Sequence, residues 1–207
     1  MLAAPAHAVV VYERVGSHHV MAARDDGTHK RLITPGYLPA LSPNGKLVSF
    51  LRPGSGDNSE LWVARLDGSN ARRLLYNLYL DPHGAVRGWS PNSRYIVAGD
   101  PSSGGAYIVD LKRDVVHSIG TGNGFTYGGA TFAPDSRRAV FEQPALRGAS
   151  DLVVRDATGK HPRHVANGDT PLWGAGGLAF HGDAGFPLVG FRSCFAGCLP
   201  YRRVLRA

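Results

Sequence analysis

Cysteine is nearly absent from this 207-residue chain, which contains only Cys194 and Cys198. Two thiols cannot complete a tetrahedral zinc site, because such a site needs four ligands. The three residues between them can turn tightly enough for a disulfide-closed loop, and two free thiols are the alternative. A disulfide is the favoured state if the protein is exported, since oxidising compartments preserve such bonds.

Lysine and long apolar runs are also scarce. Of the 23 basic side chains, 19 are arginine and four are lysine, and they are scattered along the chain although the net charge is +7. Because no basic patch stands out, we expect no nucleic-acid partner, while the surplus positive charge favours acidic partners. No apolar segment approaches the roughly 18 residues of a transmembrane helix, so no membrane span is expected.

Residues 1–8 are predicted to be a leader. They end in Ala6-His7-Ala8, a small-x-small pattern typical of a signal-peptidase site, but they lack the charged and apolar regions of a signal peptide. A signal-peptide remnant and a short disordered leader both remain open. We expect a secreted, periplasmic or cell-envelope protein, with a cytoplasmic location as the alternative.

Turn-forming residues are abundant, and one turn recurs. Glycine and proline number 27 and 14. The segments Ser42-Pro43-Asn44-Gly45-Lys46, Ser90-Pro91-Asn92-Ser93-Arg94 and Ala133-Pro134-Asp135-Ser136-Arg137 are three copies, with prolines 48 and 43 residues apart. Proline sets φ for the first central position of a turn, and Asn or Asp bonds its own main chain. Each copy therefore predicts a reversal between two strands.

A second marker keeps nearly the same period. Asp26, Asp67, Asp110 and Asp156 recur at intervals of 41, 43 and 46 residues, and each follows a short apolar run. Asp-Gly pairs between β-branched and aromatic residues are typical of hairpins. The flanking runs are too short for helices. The repeating unit is thus four strands, a to d, with the proline turn joining a to b and the Asp turn joining c to d.

Four-stranded units of about 40 to 45 residues are typical of β-propeller blades. We predict an all-β fold, a propeller of four-stranded antiparallel blades over residues 9–207, with about five blades recognisable. The blades are placed at about 9–34, 38–76, 86–118, 127–166 and 170–205, and the first lacks its own strand a. An incomplete six-bladed ring is an open alternative.

The repeats resemble those of the TolB-like, six-bladed propellers with WD-like repeats. The likeness rests on Trp89-Ser90-Pro91-Asn92-Ser93-Arg94 and its two counterparts, and on Leu61 to Ser69 for the second half of a blade. It covers residues 9 to about 180 and implies the fold. Because the motifs specify blade turns, the resemblance leaves function open between an envelope component and the propeller of a peptidase.

Catalytic chemistry is not indicated. Gly88-Trp89-Ser90-Pro91-Asn92 begins like a serine-nucleophile motif but lacks its final glycine, and its serine belongs to a strand turn. The nine histidines have no carboxylate partners at a fixed spacing. We expect no catalytic residue, no metal and no cofactor.

Recognition is expected where the loops are irregular. In an up-and-down blade the a–b and c–d turns share one end of the strands, whereas the b–c and d–a connections share the other, and loops on a rigid scaffold tend to carry binding. The proposed binding residues on those connections are Tyr37, Arg52, Tyr79, His83, Phe125 and Tyr127. The alternative is that the aromatic residues cap the apolar ends of the blades.

The function predicted from the sequence is a non-enzymatic scaffold for a protein or peptide partner or another ligand, because aromatic and arginine side chains suit such interfaces. The alternative is a propeller detached from a peptidase, lyase or glycoside hydrolase partner. The sequence does not indicate an oligomeric state.

Overall fold

The structure is a computed structural model that describes residues 8–79, 87–100, 105–119, 129–144, 150–181, 190–191 and 201–205. All the regular elements in these ranges are strands, and no helix in them could cross a membrane. Residues 1–7 of the predicted leader, which spans residues 1–8, and both cysteines lie outside the described residues, so the signal-peptide remnant and the disulfide stay predictions. The chain forms two compact units, residues 1–78 and 79–207.

The first unit contains two antiparallel sheets. The first sheet has three strands in the order β1-β2-β3, and the second has four in the order β4-β5-β6-β7. Their bounds are β1 Val9–Arg14, β2 His19–Arg24, β3 Arg31–Pro35, β4 Tyr37–Leu41, β5 Leu47–Pro53, β6 Asn58–Arg65 and β7 Arg72–Tyr79.

The second unit contains three further four-stranded sheets. Two of them follow chain order, and the last has the order β16-β17-β19-β18. The bounds are β8 Arg87–Trp89, β9 Tyr95–Asp100, β10 Gly105–Asp110, β11 Val115–Ser118, β12 Ala130–Phe132, β13 Arg138–Pro144, β14 Ser150–Asp156, β15 Arg163–Asn167, β16 Asp169–Gly174, β17 Gly177–His181, β18 Gly190–Phe191 and β19 Tyr201–Leu205. The predicted all-β fold of four-stranded antiparallel sheets is confirmed.

The proline turns have the predicted geometry. In the second sheet the Asn44 side chain accepts the backbone N–H of Lys46 at 3.0 Å, and the Ser42 hydroxyl accepts that of Leu47 at 2.9 Å. The third residue after the serine has a positive φ, which is +69° at Gly45 and +59° at Ser93. Glycine meets this requirement without strain, so the serine copies depend more on their side-chain hydrogen bonds.

The Asp turns share their chemistry but differ in register. Each of the four aspartates accepts the backbone N–H of the residue two positions on, at 2.8 to 3.0 Å. However, Asp110 and Asp156 end their strands, whereas Asp26 and Asp67 lie two residues beyond the end of β2 and β6. The position equivalent to Asp110 in the second sheet is therefore Arg65, which pairs with Leu47 as Asp110 pairs with Tyr95.

Both kinds of turn lie at the same end of the strands, as predicted. The backbone N–H of Leu66, in the Asp turn of the second sheet, donates to the carbonyl of Lys46 in the proline turn at 3.1 Å. The same bond joins Leu111 to Arg94 and Ala157 to Arg137 at 3.0 and 2.8 Å. We call this end of the first unit the turn end, and the opposite end, with residues 15–18, 36–38 and 52–59, the loop end.

A buried cluster holds the two sheets of the first unit together. It consists of Val20, Ala22, Ile33, Val48, Phe50 and Ala64, all less than 9% exposed, with Trp62 packed against it. These side chains alternate along their strands, as expected when one face of a strand is buried. Phe50 is fully buried and packs beneath the loop end.

Candidate binding surface at the loop end

Arg52 lies near the end of β5 and is held from several sides. Its Nη2 donates to the Thr34 hydroxyl at 2.7 Å, and its Nε donates to the Pro35 carbonyl at 3.2 Å. Its guanidinium carbon lies 4.2 Å from the centre of the Trp62 ring and 5.3 Å from that of Phe50. Cation–π stacking and two hydrogen bonds therefore fix the plane of the guanidinium.

An ion pair orients the tryptophan under Arg52. The Trp62 indole N–H donates to Glu60 at 2.9 Å, and the other carboxylate oxygen accepts Nη1 of Arg73 at 2.6 Å. The hydrogen bond from Arg73, followed by that from Trp62, lowers the pKa of Glu60 below its usual value. Glu60 is thus an anion at neutral pH and keeps the indole in place for Arg52.

Tyr37 is anchored beside a second carboxylate, that of Glu13. Its hydroxyl shares a hydrogen bond with that of buried Ser59, and its ring meets the ring of His18 edge-on at 5.7 Å. His18 Nδ1 lies 3.2 Å from one oxygen of Glu13, whose other oxygen accepts the backbone N–H of Leu38 at 3.1 Å. The carboxylate therefore joins the turn after β1 to the start of β4.

Gly36 allows β3 to continue into β4 at this point. Its φ is +149°, and an added Cβ would lie 2.7 Å from both the Leu51 carbonyl oxygen and a Phe50 ring carbon. Only glycine permits such close approach of the backbone without a shift. Its N–H also donates to the His18 carbonyl at 2.7 Å, which links the two loops.

Apolar side chains are exposed at the same end. Val15, in the turn between β1 and β2, is 95% exposed, and Leu38 is 37% exposed. On β7, Tyr76 is 69% exposed, with the Arg73 guanidinium 5.9 Å from its ring centre. Val15 and Leu38 therefore share the loop end with the held guanidinium of Arg52, and arginine together with apolar side chains is typical of recognition surfaces.

Two of the six predicted binding residues, Tyr37 and Arg52, are described with their side chains, and both lie at the loop end. Tyr79 ends β7, but its side chain lies outside the described residues, as do His83, Phe125 and Tyr127. The role of all six in binding stays a prediction. Among the residues that the structure describes, no three His, Cys, Asp or Glu side chains gather as metal ligands.

The sequence analysis did not single out the supporting residues Glu13, His18, Ser59, Glu60 and Arg73. One signal was present, since Glu60 and Trp62 are two residues apart and so lie on one face of a strand. The pairing of Glu13 with His18 and of Arg52 with Trp62 depends on turn shape and strand register. Neither is visible from spacing alone.

No protein-family model and no curated protein matches the sequence. Solved structures do match. TolB from Acinetobacter baumannii aligns with a TM-score of 0.55 and 14% identity over 84% of this chain and 47% of TolB. The tricorn protease aligns with a TM-score of 0.64 and 14% identity over 87% of this chain and 20% of the protease. The β-propeller domain of the Trilobed protease from Pyrococcus furiosus aligns with a TM-score of 0.57 and 15% identity. This alignment covers 84% of this chain and 59% of the protease domain.

The fold is that of the TolB-type β-propellers. The chain spans about half the length of the Acinetobacter TolB and less than two thirds of the Trilobed protease domain. At these identities the likeness extends to the fold alone. The TolB-type fold includes both TolB and parts of proteases, so the function must be argued from the loop end itself.

Proposed function

We propose that this chain is a non-catalytic, exported binding scaffold that recognises a protein or peptide at the loop end of its first unit. The observation that carries the proposal is the fixed Arg52 guanidinium, stacked on Trp62 at 4.2 Å and bonded to two groups of β3. An arginine has five N–H donors, and these two bonds use two of them. The remaining donors are oriented in advance for a carboxylate or a backbone carbonyl of a partner.

The exposed apolar groups supply the second half of the surface. Val15 and Leu38 extend from loops that Gly36 and Glu13 hold in place, so little order has to be gained on binding. The predicted residues Tyr79, His83, Phe125 and Tyr127 belong to d–a connections, and their part in binding stays a prediction.

Capture from the culture fluid or envelope extract of the native host tests the proposal. The immobilised chain should retain a partner that the Val15→Ser/Leu38→Ser variant loses. Leu172→Ser is the matched control, because Leu172 is 59% exposed and lies in the other unit. Equal capture by all three proteins would contradict binding at the loop end, and turnover of peptides by the purified chain would contradict a non-catalytic role.

A second candidate is a propeller that serves a separate catalytic partner, such as a peptidase or a lyase. The similarity to the tricorn protease and to the β-propeller domain of the Trilobed protease favours it. In that case the captured partner would be a hydrolase or a lyase, and the loop end would be its docking surface.

A further inference from the structure

A groove at the turn end of the first unit concentrates positive charge. It measures about 590 Å³, and Arg31 from β3 together with Lys46 and Arg65 from the second sheet line it. All three side chains are exposed. Within the described part of the chain, none of them makes a side-chain hydrogen bond or ion pair. The apolar part of the lining comes from Leu47 and Leu66.

At the equivalent place in the third sheet, the two facing residues carry opposite charges. There Arg94 stands where Lys46 stands, and Asp110 stands where Arg65 stands. Arg94 donates to both carboxylate oxygens of Asp110, at 2.9 and 2.6 Å. This two-pronged pair neutralises Arg94, and Lys112 also lines that place.

The second sheet has exchanged the acidic member of this pair for an arginine. Aspartate also stands at this position in the fourth sheet, as Asp156. In the first sheet Arg24 stands there, but Ala8 replaces the facing cation. Among the sheets with described turns, two facing cations therefore occur only in the second.

The one carboxylate of the groove does not restore the balance. Asp67 accepts both the N–H and the hydroxyl of Ser69, at 2.9 and 2.6 Å, within its own turn. These bonds, aided by the charges of Arg65 and Arg31, lower the pKa of Asp67. One anion thus faces three cations. Repulsion among the three cations destabilises the groove, and a bound anionic ligand would relieve this repulsion.

We infer that this groove is a second binding site, separate from the loop end, and that it takes an acidic peptide segment. Carboxylates of the segment would lie on Arg31, Lys46 and Arg65, while an aliphatic side chain would pack on Leu47 and Leu66. The mixed lining favours a peptide over a free inorganic anion, because an inorganic anion would leave the leucine surface uncovered.

A fluorescein-labelled peptide of alternating glutamate and leucine is the probe, and its glutamine–leucine counterpart is the uncharged match. Fluorescence anisotropy should show the glutamate peptide binding about tenfold more tightly than the glutamine peptide, with the difference lost in high salt. Arg65→Asp recreates the pair of the third sheet, so it should keep the fold and weaken binding of the glutamate peptide about tenfold. Lys46→Gln, at an exposed turn position, should weaken it in the same direction, whereas Arg163→Asp, an exposed site in the other unit, should not.

Equal binding of the two peptides, or unchanged binding by Arg65→Asp and Lys46→Gln, would overturn the inference. Displacement of the probe by sulfate alone at matched ionic strength would also overturn it, because the site would then be one for small anions. The Val15→Ser/Leu38→Ser variant should bind the glutamate peptide normally. If that variant loses the peptide, the probe sits at the loop end, and the inference fails while the proposed function stands.

Discussion

Gly68 tests how tightly the two sheets of the first unit are joined. It lies in the Asp turn of the second sheet with φ +87°, and a Cβ built on it falls inside 3.0 Å of the Ile33 carbonyl oxygen and 3.3 Å from the carbonyl carbon. Backbone atoms of β3 cannot rotate away as a side chain can. Gly68→Ala must therefore separate the turn from the neighbouring sheet.

Gly27 is the matched control. It occupies the same position in the Asp turn of the first sheet, with φ +78°, and a Cβ there meets nothing within 4 Å. A left-handed alanine costs roughly 1–2 kcal/mol in either turn. The steric overlap at Gly68 should add roughly 1–3 kcal/mol, the usual cost of overpacking. The difference between the two variants isolates the contact between the sheets, because the conformational term is common to both.

Urea unfolding followed by far-UV circular dichroism measures the free energy of unfolding of both variants. We expect Gly68→Ala to lower the free energy of unfolding by about 2–5 kcal/mol and Gly27→Ala by about 1–2 kcal/mol. Gly159→Ala, whose Cβ would lie 3.1 Å from the movable Ile119 side chain, should fall between them. Equal losses for Gly68→Ala and Gly27→Ala would refute close packing of the Asp turn on β3.

Three further outcomes are expected. The Arg94 hydrogen bond lowers the pKa of Asp110 from 3.8 to about 2. The ionised Asp110 therefore stabilises the fold by at most about 2 kcal/mol above pH 4, and this stabilisation is lost as the pH falls towards 2. Urea unfolding of Asp110→Asn should differ from that of the wild type at pH 7 and converge with it in acid. Ser136→Ala removes the acceptor of the Asn92 N–H at 3.0 Å, which links the third and fourth sheets, and should cost about 1 kcal/mol in the same assay. Arg52→Lys loses the planar fork over Trp62 and should change the near-UV circular dichroism of the indole, with a loss of about 1 kcal/mol; an unchanged spectrum would contradict the stacking.

Local chemistry made the strands and turns predictable. Pro43, Asn44 and Gly45 act through their own backbone and the next few residues, so their spacing alone indicated where strands reverse and which turns share an end. The register of the Asp turns was not visible in the same way. An aspartate satisfies the N–H two residues on whether it ends the strand, as Asp110 does, or lies two residues later, as Asp67 does.

The candidate sites depend on pairings between distant residues. Arg52 and Tyr37 could be chosen because their connections were irregular, but the stacking of Arg52 on Trp62 follows from the register of β5 against β6. The charged groove required knowing that Arg65, and not Asp67, occupies the place of Asp110. The spacing of the repeats aligns Asp67 with Asp110, which is two positions too far along the chain. The hydrogen-bonded register of the strands shows that Arg65 is the equivalent residue.

Hydrogen–deuterium exchange of the chain, free and bound to the partner retained by the capture experiment, tests the binding role of the loop end most directly. Protection should appear in residues 15–18, 36–38 and 52–59, where Arg52, Val15 and Leu38 lie. Protection confined to the turn end, or spread over the sheets without a maximum at the loop end, would contradict the proposal that these loops form the recognition surface.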